Sequence, residues 1–177
     1  MEQIKVNYPD LNLLINNSGS AYQFSLGVEA NAYEGAKKEM EVNYLAPIRL
    51  TEKLLPVLQR QSESAIVNVT SVVAIVPWAI MPTYSASKVA LQFYTRLLRH
   101  TLKQSSVKVF EVLPPLSDTD FAKAIPIDKM APAVVAEAIL KGIEQDSFEI
   151  RIGLADYFYS LNSESPDKAF NLLNGVK

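Results

Sequence analysis

A tyrosine and a lysine four positions apart, Tyr84 and Lys88 in "YSASK", are the residues of this 177-residue chain whose types and spacing point most directly to chemistry. At i and i+4 on a helix they lie one turn apart on one face. A phenol titrates at about 10 in water, so it works as an acid or base at neutral pH only where a nearby positive charge favours the phenolate. Lys88 is placed to supply that charge. The same spacing also fits a ring packed at a helix start beside a solvated lysine.

Other residues narrow the choice. Ser71 ends the apolar run "AIVNVTS", and ligands of parallel sheets bind at the carboxyl ends of strands. The loop that follows, "VVAIVPWAIMPT", is apolar enough to wall a pocket and brings the serine towards Tyr84. Taken singly, Ser71 reads as a turn residue, as do Asn16, Asn17 and Gly19 in "NNSG". Asn43 stands between Val42 and Leu45 in a stretch of helical period, and a buried amide there needs backbone or water partners.

These residues are carried by alternating elements. Short apolar runs at 11–17, 65–71, 107–113 and 148–154 read as buried parallel strands, and longer amphipathic segments between them as helices. The fold class is therefore α/β, with a parallel sheet covered by helices on both faces. A long helix is expected across 31–61, kinked at Pro47 and Pro56. Another spans about 83–103. It has apolar residues on two sides, Val89, Phe93 and Leu97 along one and Leu91, Tyr94 and Leu98 along the other, so it should cover both the sheet and a second subunit. A third is expected over 128–145, with Asp128 near its start and Pro132 in its first turn. His100 reads as a cation near a helix end.

The totals exclude several classes. Lys and Arg number 17 against 19 Asp and Glu with no basic block, which speaks against nucleic acid or an anionic membrane as partner. With no cysteine there is no disulfide scaffold, thiolate nucleophile or thiolate zinc site. No apolar run reaches the roughly 18 residues of a membrane span, and the first ten residues lack a signal-peptide core, so a soluble, cytoplasmic protein is expected.

Taken together, "NNSG", Asn43 in "EVNYLAP", Ser71 in "IVNVTS" and Tyr84 with Lys88 in "YSASK" resemble, in order and spacing, the short-chain dehydrogenase/reductase family over residues 8 to 150. The resemblance implies a tetrad of Asn43, Ser71, Tyr84 and Lys88. In it Tyr84 exchanges a proton with the substrate oxygen, Ser71 orients that oxygen, and Lys88 lowers the tyrosine pKa and holds the nicotinamide ribose. Asn43 anchors a water that relays protons. Asn16, Tyr84, Lys88 and Thr119 would contact the cofactor, NAD or NADP. Thr119 matches the family's carboxamide contact, although Pro115 stands where the family has glycine. The substrate would be a small carbonyl compound or secondary alcohol, apolar if Trp78, Ile80, Met81, Phe121 and Ile125 line its pocket, and the enzyme a homo-oligomer.

The family also begins with a strand and a turn of the form T-G-x-x-x-G-x-G, whose backbone holds the pyrophosphate. Gly19, Gly27 and Gly35 do not reproduce that turn. On this resemblance the chain reads as a single partial Rossmann-type domain over 1–177. Two strand-helix units, about 60 to 75 residues, would precede Met1, and NAD(P) binding should be weak or absent. The stretch at 11–17 would then be an open apolar edge. Two further readings are a non-catalytic remnant that associates with a full-length partner, and an epimerase or dehydratase sharing Y-x-x-x-K; "NNSG" speaks against the latter.

Overall fold

Four Val-, Ile- and Leu-rich runs pair in parallel in the order β1-β2-β3-β4: β1 is Leu13–Asn16, β2 Ser64–Val69, β3 Val107–Leu113 and β4 Glu149–Arg151. The computed structural model describes residues 2–123 and 125–176, and the side chains of Glu2, Lys5 and Phe121 lie outside the described set. β3 has the expected bounds. The two outer strands are shorter than expected because each has a hydrogen-bonded neighbour on one side only. β2 stops at Val69, which leaves Thr70 and Ser71 beyond the strand at the carboxyl end of the sheet.

Alternation along the strands sends side chains to two layers. On one face Ile66, Val107 and Val109 pack with Leu58 and Leu102, from α3 (Ala46–Leu58) and α4 (Pro82–Leu102). On the other, Val67, Val69, Phe110, Val112 and Ile150 pack under α5 (Pro132–Glu144) through Val135. Each such aliphatic side chain contributes about 1.5–3 kcal/mol on full burial.

A polar row interrupts the first face. Asn16, Asn68 and Glu111 are neighbours in register across β1, β2 and β3. All three are buried, so their polar atoms need partners. Asn16 donates to Asn68 at 2.7 Å and Asn68 to Thr95 Oγ1 at 2.9 Å, while Gln92 and Thr70 both donate to Glu111 Oε1 at 2.9 Å. Thr95 and Gln92 come from α4, so this row keys that helix onto the sheet. Burial also pushes the Glu111 carboxyl above the usual carboxylate range.

The helix expected across 31–61 is interrupted, but ahead of Pro47. α2 (Ala32–Met40) passes into a π-helical turn, Glu41–Leu45, and then into α3. Pro47 has no N–H to return to the carbonyl of Asn43, four residues earlier, and its ring crowds that position. The chain widens by one residue instead, with the Ala46 N–H bonded to Glu41 O. α3 runs through Pro56.

Asp128 precedes α5 rather than starting it, since the N-cap position is Ala131. The C-terminal residues form α6 (Leu154–Glu164) and α7 (Pro166–Asn174), which the sequence reading did not assign. Gly153, at φ 59, makes the turn from β4 into α6, where a Cβ would also meet Met130 at 3.0 Å. A short α1 (Glu2–Asn7) precedes β1.

Candidate active site

The carboxyl ends of β1, β2 and β3, the start of α4 and the α6–α7 pair enclose a cavity of about 880 Å³. Ser71 enters it from the end of β2. Its extended backbone lets Oγ accept the Val73 N–H at 3.3 Å, capping a short 3₁₀ turn, Val72–Ala74. The loop then runs to Met81, and Pro82 opens α4 in the first-turn position that tolerates a missing N–H. That start sets Tyr84 and Lys88 on the cavity wall, one turn apart as expected.

Both are buried, Tyr84 to 8% exposure and Lys88 to 3%. A side-chain hydrogen bond links Tyr84 to Ser71. The Lys88 ammonium lies 5.7 Å from the centroid of the Tyr84 ring and donates to the Val69 carbonyl at 2.8 Å. Burial pushes the Tyr84 phenol up to about 12; the Ser71 hydrogen bond opposes this rise and Glu39 adds to it. Burial also lowers Lys88 to about 8. The net effect of the surroundings on the phenol is therefore upward.

Asn43 is fully buried in the π-helical turn. Its Oδ1 accepts the Ser20 N–H at 2.9 Å, and its Nδ2 donates to Ser20 O at 2.8 Å and to Ser87 Oγ at 2.9 Å. The backbone partners expected for this amide are those of Ser20. Ser87, the hydroxyl inside "YSASK", ties α4 to the turn. Gly19 lies in the angle between them: a Cβ there would meet Asn43 Oδ1 at 3.3 Å and Lys88 Nζ at 3.7 Å.

The remaining expected site residues divide. Thr119 is exposed on the cavity wall, its hydroxyl turned to Ser117 O at 3.4 Å, and Pro115 lines the same wall. Asn16 is not on the wall. Its amide is engaged with Asn68 in the polar row, and the neighbouring Asn17 lines the cavity with Ser18 and Gly19. Trp78 and Met81 line it as expected. Ile80 does not, being 39% exposed, and Ile125 is packed behind Tyr84 with Val73 and Met81. The side chain of Phe121 lies outside the described residues. His100 sits in the last turn of α4, away from the cavity.

The sequence reading missed Glu39, Ser87 and the far wall formed by Leu154, Phe158 and Leu173. The spacing of Phe158 and Leu161 and the Ser165-Pro166 start signal would have disclosed α6 and α7. Nothing in the local sequence marks Glu39, because its burial depends on the segment 20–22 folding back over α2. Among the described residues no cluster of His, Asp or Glu is arranged to hold a metal, and no helix is long and apolar enough to cross a membrane.

The short chain dehydrogenase family model matches residues 1–129, and the chain belongs to that family. Over 114 residues it is 43% identical to an uncharacterized oxidoreductase, DltE, of Bacillus subtilis, covering 63% of this chain and 44% of that protein. Over 149 residues it is 30% identical to a very-long-chain 3-oxoacyl-CoA reductase of Bos taurus, covering 80% and 47%. The chain thus spans somewhat under half the length of these curated relatives. A crystal structure of a short chain dehydrogenase from Burkholderia cenocepacia in complex with NADP superposes with a TM-score of 0.88 at 30% identity, over 97% of this chain and 72% of that one.

Proposed function

We propose that this chain carries the catalytic and substrate-binding part of an NAD(P)-dependent oxidoreductase that interconverts a carbonyl compound and a secondary alcohol. The observation that carries the reading is the Ser71–Tyr84 hydrogen bond on the wall of the cavity, with Lys88 one turn beyond. The nicotinamide end of a nucleotide fits the residues present. Asn17, Ser18, Gly19 and Thr119 line the same opening as Tyr84 and Lys88.

A bound nicotinamide nucleotide supplies or takes the hydride. Tyr84, protonated at neutral pH, is set up as the acid that hands its proton to the carbonyl oxygen. Ser71 holds that oxygen beside the phenol by hydrogen bonding. Lys88 would hold the ribose hydroxyls, and with its pKa lowered to about 8 it both gives and takes protons near neutrality. The amide of Asn43 ties the Ser20 backbone to Ser87 of the "YSASK" helix, and a water bound beside it would relay the proton from Lys88 to solvent. Thr119 would hold the nicotinamide carboxamide, its hydroxyl being turned to Ser117 O when no nucleotide is bound.

The cavity walls select an apolar substrate, through Val73, Trp78, Met81, Leu116, Met130 and Phe158. The 177 residues act as one unit, and copies associate through the helices at 32–58 and 82–102. A panel of aliphatic and aromatic ketones and aldehydes, assayed with NADH and NADPH at high concentration, tests the reading. Consumption of reduced nucleotide that Ser71→Ala abolishes supports it. No consumption with any member of the panel rejects it.

A further inference from the structure

Asn174 is the last residue of α7, where Gly175 at φ 66 turns the chain out of the helix. Its side chain reaches across to the loop between Ser71 and Tyr84, far from it in sequence. Nδ2 donates to Pro77 O at 3.1 Å and to Phe170 O, one turn back on α7, at 2.8 Å, while Oδ1 accepts the Ala79 N–H at 2.6 Å. Both amide protons and the oxygen are thus engaged. The partners fix the orientation of the amide, because exchanging Oδ1 and Nδ2 would set an oxygen against two carbonyls.

Between Pro77 and Ala79 stands Trp78, whose side chain lines the cavity and packs on the cluster of Val73, Met81, Tyr84 and Ile125. Its own backbone is held from the start of α4: the N–H donates to Ser85 Oγ at 3.1 Å and the carbonyl accepts the Met81 N–H at 2.9 Å. Four hydrogen bonds therefore fix the peptide groups on either side of the indole, two of them from Asn174. The helix that carries Asn174 is itself anchored. Ala169 and Leu173 of α7 pack with Phe158 and Leu161 of α6 against Val76, and Phe158 and Leu173 also line the cavity. A clamp mounted on packed helices holds its target in one geometry.

We propose that Asn174 is a specificity-determining residue: its amide clamps the backbone on both sides of Trp78, so that the indole is a fixed wall and sets the size of the apolar molecule that the cavity admits. The inference deepens the reading of the cavity as a substrate site and rests on it. An indole on a free loop would swing aside for a larger ligand, whereas moving this one breaks the bonds to Asn174 and leaves their donors and acceptors without partners. A residue that served only to end α7 would need no amide facing another segment, since Gly175 already supplies the turn.

Trp78 is the only tryptophan, so tryptophan emission reports this wall alone. The experiment compares the 177-residue protein with Asn174→Leu, which keeps the size and removes all three bonds, and with Asn174→Asp, which keeps the acceptor but turns an oxygen towards Pro77 O. Binding of acetophenone and of benzophenone, in which a second ring replaces the methyl group, is followed by the change in Trp78 emission without nucleotide, and exchange of the Ala79 amide is followed by NMR. Asn174→Leu should raise the affinity for benzophenone relative to acetophenone by about tenfold. It should also speed Ala79 exchange by about fivefold, as expected for one lost hydrogen bond. An unchanged ratio of affinities in Asn174→Leu overturns the proposal, as does unchanged Ala79 exchange or a cavity that takes neither ketone in any of the three proteins. If Asn174→Leu does not fold, the ratio of affinities in Asn174→Asp decides. Neither readout needs turnover, so a protein that shows the shift in ratio but reduces no ketone would sink the catalytic reading and leave this result standing.

Discussion

Lys88 Nζ lies 5.7 Å from the centroid of the Tyr84 ring and donates to the Val69 carbonyl at 2.8 Å. The ammonium is held at the end of β2 while the tyrosine hydroxyl is engaged by Ser71. Each reactive group has a separate support, so removing one leaves the other in place.

Tyr84→Phe should therefore reduce turnover by about 100-fold or more, the usual contribution of a positioned acid, and leave the fold intact. The ring still packs against Val73, Met81 and Ile125. Steady-state rates with an accepted ketone, together with thermal melting and nucleotide affinity, check this. A variant that keeps most of its rate would remove Tyr84 from the mechanism.

Lys88→Met should abolish activity yet raise the melting temperature at pH 7. Burial holds the folded-state pKa at about 8 against 10.5 for the free group. Below pH 8 both states carry the proton, and the fold bears a cost on the order of 3 kcal/mol, since each pH unit between the folded and unfolded values is equivalent to about 1.4 kcal/mol. Loss of the bond to Val69 offsets about 1–2 kcal/mol of that. Between pH 8 and 10.5 the unfolded chain binds more protons than the folded one, so wild-type stability from this group rises with pH. The advantage of the methionine should shrink across that window and reverse before its upper end, where only the lost bond to Val69 counts. Melting curves at a series of pH values decide it. An advantage independent of pH would mean that Lys88 is not buried as a charge.

The chain as given should bind NAD and NADP weakly. Its six glycines do not include the T-G-x-x-x-G-x-G turn whose N–H groups hold a pyrophosphate in the family. Contacts through Asn17, Tyr84, Lys88 and Thr119 alone must also offset the ordering of a long flexible ligand. Calorimetric titration with oxidised and reduced nucleotides measures this. A dissociation constant in the low micromolar range would show that the residues present suffice.

Phe93 and Leu97, on the outer face of α4, are 59% and 66% exposed, and Leu45 of the adjoining π-helical turn is 53% exposed. Side chains of this kind on neighbouring helices form a surface that a second copy would cover. Light scattering should show self-association that Phe93→Asp together with Leu97→Asp abolishes. A wild-type monomer at high concentration would contradict it.

Strand and helix identity were readable along the chain because burial imposes a period. β3 was legible to the residue, since a strand buried on both faces is apolar along nearly its whole length, and Tyr84 and Lys88 needed only the i, i+4 rule to share a face. The outer strands were overestimated because apolar content does not reveal how many neighbours a strand has. Local sequence could not decide between Asn16 and Asn17 as cavity residue: one step along a strand reverses the side chain, and the pairing with β2 set which asparagine faced Asn68. Nor could it place Glu39, far from Tyr84 along the chain, since only the return of residues 20–22 over α2 buries that carboxylate. Whether the Tyr84 phenol would be raised or lowered was likewise a tertiary matter. Sequence put a cation one turn away, but desolvation by the surrounding elements raised the phenol and lowered the ammonium.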